Sequence, residues 1–144
     1  MKMITIVNRL IPLKAYTAFT QWPLLFIRKE NESRFDKTSE RHEQIHAWQQ
    51  IETMLLSFTV LALMACAEWL SWWWTLAAPL CFDLLYGLEY LVRLLLYRNL
   101  METYRNVSFE QEAYLRQHDP DYLSYRYLLA WVPFLFRKTW RKRK

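Results

Sequence analysis

Residues 41–50 read Arg-His-Glu-Gln-Ile-His-Ala-Trp-Gln-Gln and carry the pattern H-E-x-x-H as His42, Glu43 and His46. Residues four apart on a helix share a face about one turn apart, so the two imidazoles can each aim a nitrogen at one metal ion. Glu43, three before His46, falls beside such an ion without ligating it. There its carboxylate can take a proton from an attacking water and pass it to a leaving group. A pair of surface histidines is the plain alternative for so short a pattern. Two of the chain's three histidines fall at this spacing, however. Thr38 or Ser39 can cap the helix, and the apolar run after His46 lets it continue. Near a helix N-terminus the dipole disfavours imidazolium and keeps both rings neutral, as ligands must be. The ion this pattern suits is zinc.

A catalytic zinc takes three protein ligands and keeps one position open, so a further donor must come from elsewhere. Glu110, Glu112 and His118, the remaining histidine, are the candidates. Ser108-Phe109-Glu110-Gln111 has the form of a capping box opening a new helix. On that helix Glu110 and Glu112 point about 200° apart, so only one can face the ion. The other is free to pair with Arg41, Arg105 or Arg116, and His118 lies two turns beyond Glu110 on roughly its side. Acids in a first turn also complement the helix dipole with no metal near.

What must position these groups follows from composition. The 144 residues make one domain, 1–144, and a single glycine excludes the Gly-rich phosphate loops of nucleotide-binding α/β chains. A net charge of +5 and a pI near 9.3 fit either a nucleic acid or an anionic membrane surface. The placement of charge favours the membrane. All 19 Lys and Arg lie at or before Arg41 or at or after Arg93. Between them, residues 51–67 are almost purely apolar, and 69–82 follow after one acid, Glu68.

This is the positive-inside pattern of a transmembrane helical hairpin, residues 51–94, with both termini and the metal site on the cytoplasmic side of an inner (cytoplasmic) membrane. One span runs from near Ile51 to near Trp69 and a second from near Trp72 to near Leu94, and Trp69 with Trp72, Trp73 and Trp74 forms the far aromatic belt. A soluble helical protein with an apolar core is the alternative. Asp83 and Glu89 favour it, because carboxylates within a span need a partner. Glu89 and Arg93, four apart, can pair on one helix face; Asp83 has no evident partner.

The remaining segments frame this core. Residues 1–14 are basic and apolar without a small-residue cleavage site, unlike a signal peptide. Residues 17–28 suit a small β element, an edge strand or hairpin, since Pro23 argues against a central strand. Cys66 and Cys81 read as small buried residues. Residues 121–140 alternate aromatics and aliphatics around Arg126, are broken near Pro133 and end in Arg141-Lys142-Arg143-Lys144. That is the pattern of an interfacial helix on anionic headgroups, and no nucleic-acid partner is expected.

Glu110-Gln111-Glu112-Ala113-Tyr114 resembles the E-x-x-A-D element by which gluzincin metallopeptidases supply their third zinc ligand, notably the membrane branch with the CAAX prenyl proteases and heat-shock membrane proteases. That resemblance makes Glu110 the ligand and puts Tyr114 where the family has an acid. More widely, Trp22-Pro23, Phe26-Ile27-Arg28, residues 41–46, residues 86–93 and residues 104–114 are similar to a family of short, uncharacterised bacterial proteins, Bacteroidota-like, that look like reduced zincins. The chain differs from them by the added apolar portion 55–79. The fold expected is mainly α, a zincin-like helix running into a transmembrane hairpin. The function expected is a zinc-dependent membrane metallopeptidase acting on peptides or membrane proteins beside the lipid bilayer. The alternative is a non-catalytic, membrane-embedded zinc-binding or partner-binding protein of regulatory or scaffolding role.

Overall fold

The computed structural model describes residues 2–12 and 16–137. It is mainly helical, with one small sheet against the start of a long helix. Strand β1 (Ile4–Asn8) pairs in parallel with β3 (Leu24–Arg28), and β2 (Ala18–Gln21) pairs antiparallel with β3 on its other side. The hairpin expected over residues 17–28 is present, with a correction. Its second strand is the central one, because Pro23 sits in the turn and its missing N–H removes nothing from the ladder. Leu25 and Ile27 of β3 turn one face inward. Strand β1 lies in the segment read only as basic and apolar.

A 3-10 turn (Lys29–Arg34) leads into α1 (Lys37–Cys66), whose N-cap is Asp36 in place of the expected Thr38 or Ser39. Asp36 Oδ1 accepts from the Ser39 amide at 2.8 Å and from its hydroxyl at 2.9 Å, satisfying donors that the helix leaves open. At 1.5 Å per residue, α1 is about 45 Å long.

Its burial is inverted along its length. Up to Thr53 it buries mostly polar groups, His42, Glu43, His46, Gln49, Gln50, Glu52 and Thr53, with Ile45 and Ala47 among them. The second half exposes Leu55, Leu56, Phe58, Val60 and Leu63. Among the described residues α1 alone is long and apolar enough to cross a membrane, and only 28% of its apolar window is buried within the protein.

Glu68, at φ 60, ends the run: the amides of Ala67, Glu68 and Trp69 bond back to Leu63, Ala65 and Met64. The return limb is not the single second helix expected over residues 72–94. It is a 3-10 stretch (Trp72–Leu80) packed along the end of α1, then α2 (Cys81–Tyr97). Pro79 supplies the reason, since it donates no N–H and disfavours α geometry at Ala78. Of the two cysteines expected inside, Cys66 is exposed and Cys81 half-buried; both are free.

Helix α3 (Leu100–Asn106) is capped by Asn99, whose Oδ1 accepts from the amides of Met101 and Glu102. Helix α4 (Ser108–Arg116) starts without the capping box its sequence suggested. Ser108 is already helical, and Glu89 of α2 caps it, taking the Ser108 amide at 2.8 Å and its hydroxyl at 2.6 Å. The same Glu89 pairs with Arg93 at 2.7 Å, as the spacing predicted, and Arg93 reaches the carbonyls of Phe134 and Leu135. Phe82, Val107, Phe109 and Trp131 form one apolar core beneath this junction; Ile45, Ala113 and Tyr122 form a second beside the long helix.

The expected C-terminal interfacial helix is replaced by two single turns, α5 (Tyr122–Tyr125) and α6 (Val132–Leu135). Pro133 lies in the first turn of α6, where a proline is tolerated, so it starts a helix. Arg126, expected among headgroups, is drawn inside by two carboxylates, Glu52 and Glu112. The basic run 141–144 lies outside the described residues.

Candidate metal centre

Helix α1 presents His42 and His46 on one face, and α4 lies across that face because Ala113, fully buried, permits close approach. His42 Nε2 and His46 Nε2 lie 3.1 Å apart. Glu110 Oε2 is 3.4 Å from the first and Oε1 3.3 Å from the second. A tetrahedral ion with bonds of 2.0–2.1 Å separates its ligand atoms by about 3.3 Å; here each histidine meets a different carboxylate oxygen at about that separation, and one donor atom from each of the three residues lies within 4.8 Å of the others. Glu110 Oε2 is buried and accepts no hydrogen bond. An unsatisfied buried carboxylate oxygen is costly, and a cation bound by the three groups would remove that cost. Residues His42, His46 and Glu110 could therefore hold a metal ion.

Each ring is gripped from behind. His42 Nδ1 is 3.0 Å from Gln117 Oε1, and His46 Nδ1 is 2.8 Å from Gln49 Oε1. The Tyr86 hydroxyl donates to Glu110 Oε1 at 3.1 Å. Tyr114, where the resembled element has an acid, packs its ring edge-on to His42 with centroids 4.7 Å apart, so it orients by contact.

In the metal-free protein, burial pushes the His46 pKa down, but the Glu110 carboxylate outweighs it and lifts the value to about 9. For His46 without metal, the charge at 3.3 Å outweighs the helix dipole invoked to keep that ring neutral. Burial likewise works to raise Glu110, yet His46 and His42 hold its carboxyl well below the usual range. A cation held by the three groups would take the place of the His46 proton beside the Glu110 charge.

The other candidates are placed elsewhere. Glu112 is fully buried on the opposite side of α4. Its partners are not Arg41, Arg105 or Arg116 as expected, because that side faces α1 and α5 and not solvent. It accepts from Gln49 Nε2 at 3.0 Å, the Tyr122 hydroxyl at 3.0 Å and Arg126 Nε at 2.6 Å. Arg126 also pairs with Glu52. His118 is exposed and meets Gln117 Nε2 at 3.2 Å, outside the three-donor group. Asp83 is met by Gln21 Nε2 at 3.3 Å, a partner from β2 that the sequence did not suggest.

Glu43 is buried beside His46, and Thr20 of β2 donates to its Oε2 at 2.7 Å. Glu43, His46 and Glu110 line a cleft of about 540 Å³, whose other walls include Leu10, Ile11, Phe19, Phe82, Tyr86 and Tyr90. Gly87 also lines it, and a Cβ there would meet nothing within 4 Å. Two of the three donors and the held Glu43 carboxylate thus share the wall of a largely apolar cleft. Thr20, Tyr86, Gln49 and Gln117 were not read from the sequence. Only Gln49 left a local signal, one turn beyond His46 on its face. Comparison with family models, with curated proteins and with solved structures finds no match for this chain.

Proposed function

We propose that this chain is a zinc-dependent membrane metallopeptidase, with His42, His46 and Glu110 as ligands and Glu43 as general base. The observation that carries the reading is the convergence of three donors, one with an unsatisfied buried oxygen, two of which, His46 and Glu110, line a cleft together with Glu43. Zinc suits two imidazoles and one carboxylate; bound there it supplies Lewis acidity and makes water acidic enough to be deprotonated near pH 7.

The chain's own groups do the rest. Glu43, anchored by the Thr20 hydroxyl, takes the proton from the attacking water and returns it to the departing amine. Tyr86 holds Glu110, so that the ligand carboxylate keeps its angle as charge develops. The apolar cleft walls accept an aliphatic or aromatic side chain and exclude competing water.

The membrane part of the proposal rests on the outward-facing leucines. Leu55, Leu56 and Leu63 of α1 and Leu84, Leu88, Leu91 and Leu95 of α2 are exposed, as are Trp69, Trp72, Trp73 and Trp74 between the helices. So large an apolar surface needs lipid or a partner. Since α1 alone among the described helices is long and apolar enough to cross by itself, the return span of the proposed hairpin would be made by the 3-10 stretch and α2 together. The absence of Lys and Arg between Arg41 and Arg93 makes both ends cytoplasmic. His46 lies only five residues before this apolar tract, so substrates are peptide segments close to the bilayer.

The test uses purified full-length protein in detergent, zinc content by elemental analysis, and hydrolysis of unfolded membrane-protein peptides. Wild type should carry one zinc and cleave. Glu43→Gln should keep the zinc and lose on the order of 10²–10⁴-fold in turnover. Zinc retention with no cleavage by wild type would leave the zinc-binding alternative; no zinc at all would refute the peptidase and leave only the partner-binding alternative.

A further inference from the structure

Both ligand histidines present Nε2 to the metal position and Nδ1 to a glutamine side-chain oxygen. A neutral imidazole has one N–H and one lone pair, so a metal can use Nε2 only if the proton sits on Nδ1.

For His46 the tautomer is dictated by a chain of groups that begins at a residue remote from the ion. Arg126 can only donate, and it is held between Glu52 and Glu112. Glu112, as a carboxylate, can only accept, and so can the Phe109 carbonyl. Gln49 must then turn its amide nitrogen toward these two, at 3.0 and 3.1 Å. That leaves its oxygen toward His46 Nδ1, 2.8 Å away, an acceptor that requires Nδ1–H. Every polar atom in this sequence has one role left to play. Gln117 faces its oxygen to His42 Nδ1 from the end of α4 at 3.0 Å, with its amide nitrogen 3.2 Å from the ring of the exposed His118, so here the geometry of the pair and not a fixed run of donors carries the inference.

We propose that Gln49 and Gln117 are positioning residues that fix the metal-binding tautomer of His46 and His42, Gln49 being oriented by the buried Glu52–Arg126–Glu112 cluster. The inference rests on the metal reading above and deepens it.

The experiment uses the full chain in detergent micelles with Co²⁺ as probe. Affinity is measured by chelator competition, and the hyperfine-shifted ring N–H resonances of the bound histidines are recorded in H₂O and D₂O. Wild type should show two slowly exchanging N–H signals. Gln49→Met should lose or speed the exchange of one signal, and Gln117→Met the other, each weakening Co²⁺ binding about 10–100-fold. Gln117→Glu keeps the acceptor and should stay within about threefold of wild type. Because Gln49 is fully buried and its variant can fail to fold, the Gln117 pair decides alone where it must. Wild-type affinity and two protected signals in Gln117→Met would overturn the inference while leaving the metal reading intact. Failure of the wild-type chain to bind Co²⁺ would overturn the metal reading and this inference with it.

Discussion

Glu110 and Glu112 are two residues apart, both buried, and differ in what they hold, so exchanging each for glutamine separates the metal from the fold. Glu110→Gln keeps shape and lets the Tyr86 hydroxyl keep an acceptor. It removes the only anionic donor from a triangle whose other corners are neutral rings when metal is bound. Changes one step behind a ligand cost about 10–100-fold in affinity, so loss of the charged ligand should cost at least 100-fold, about 2.7 kcal/mol or more. The metal-free fold should be only modestly affected, because His46 can release its proton once Glu110 is neutral.

Glu112→Gln reverses the pattern. Arg126 would face Glu52 alone, and an amide nitrogen would replace one of two oxygens that together accept from Gln49, Tyr122 and Arg126. Breaking a buried pair costs roughly 3–5 kcal/mol, against total stabilities of about 5–15 kcal/mol. Zinc affinity should fall no more than 10–100-fold, through Gln49 alone. Zinc is measured by competition with a chromophoric chelator, and stability by thermal unfolding with a chelator present. Wild-type zinc affinity in Glu110→Gln, or greater zinc loss in Glu112→Gln than in Glu110→Gln, would refute the assignment of roles.

Arg126→Met should destabilise by roughly 3–5 kcal/mol, since it leaves two buried carboxylates without their cation, and a midpoint within 2 °C of wild type would contradict this. The pH dependence of the metal-free protein follows from His46: its pKa is raised to about 9 in the fold, so its contribution is fully present below its unfolded value near 6.5 and is lost as pH rises toward 9. Unfolding midpoints with a chelator should fall over that window and flatten when zinc is added; a rise from pH 6.5 to 9 would show the Glu110–His46 pairing to be wrong. Phe58→Lys, on the exposed face of α1, should cost about 3 kcal/mol of insertion and deplete the membrane fraction, whereas unchanged partitioning would argue that lipid does not cover that face. Gly87→Leu should fill part of the cleft and raise KM for bulky substrates with little change in zinc content.

Much of the centre was legible because it is local. The spacing of His42, Glu43 and His46 is a property of one helix, and the Glu89–Arg93 pair is another i, i+4 contact. Composition likewise carries the apolar tract without Lys or Arg, since hydropathy needs no partner to be read. Errors fell where a residue's role was set by a neighbour distant in sequence. Ser108 resembled a cap until Glu89 of α2 took that place, Arg126 read as a headgroup anchor until Glu52 and Glu112 drew it in, and Pro79 divided an apolar run that looked continuous.

The sequence by itself determined that two imidazoles share a face, because 3.6 residues per turn leaves no choice. Which carboxylate meets them, and on which nitrogen each ring keeps its proton, only the tertiary structure decided. Glu110 and Glu112 are equivalent in composition and nearly so in position, and α4 distinguishes them by its rotation about Ala113 against α1. The tautomer of His46 depends on a run of one-way donors and acceptors from residues 52, 112 and 126, which no local periodicity brings together.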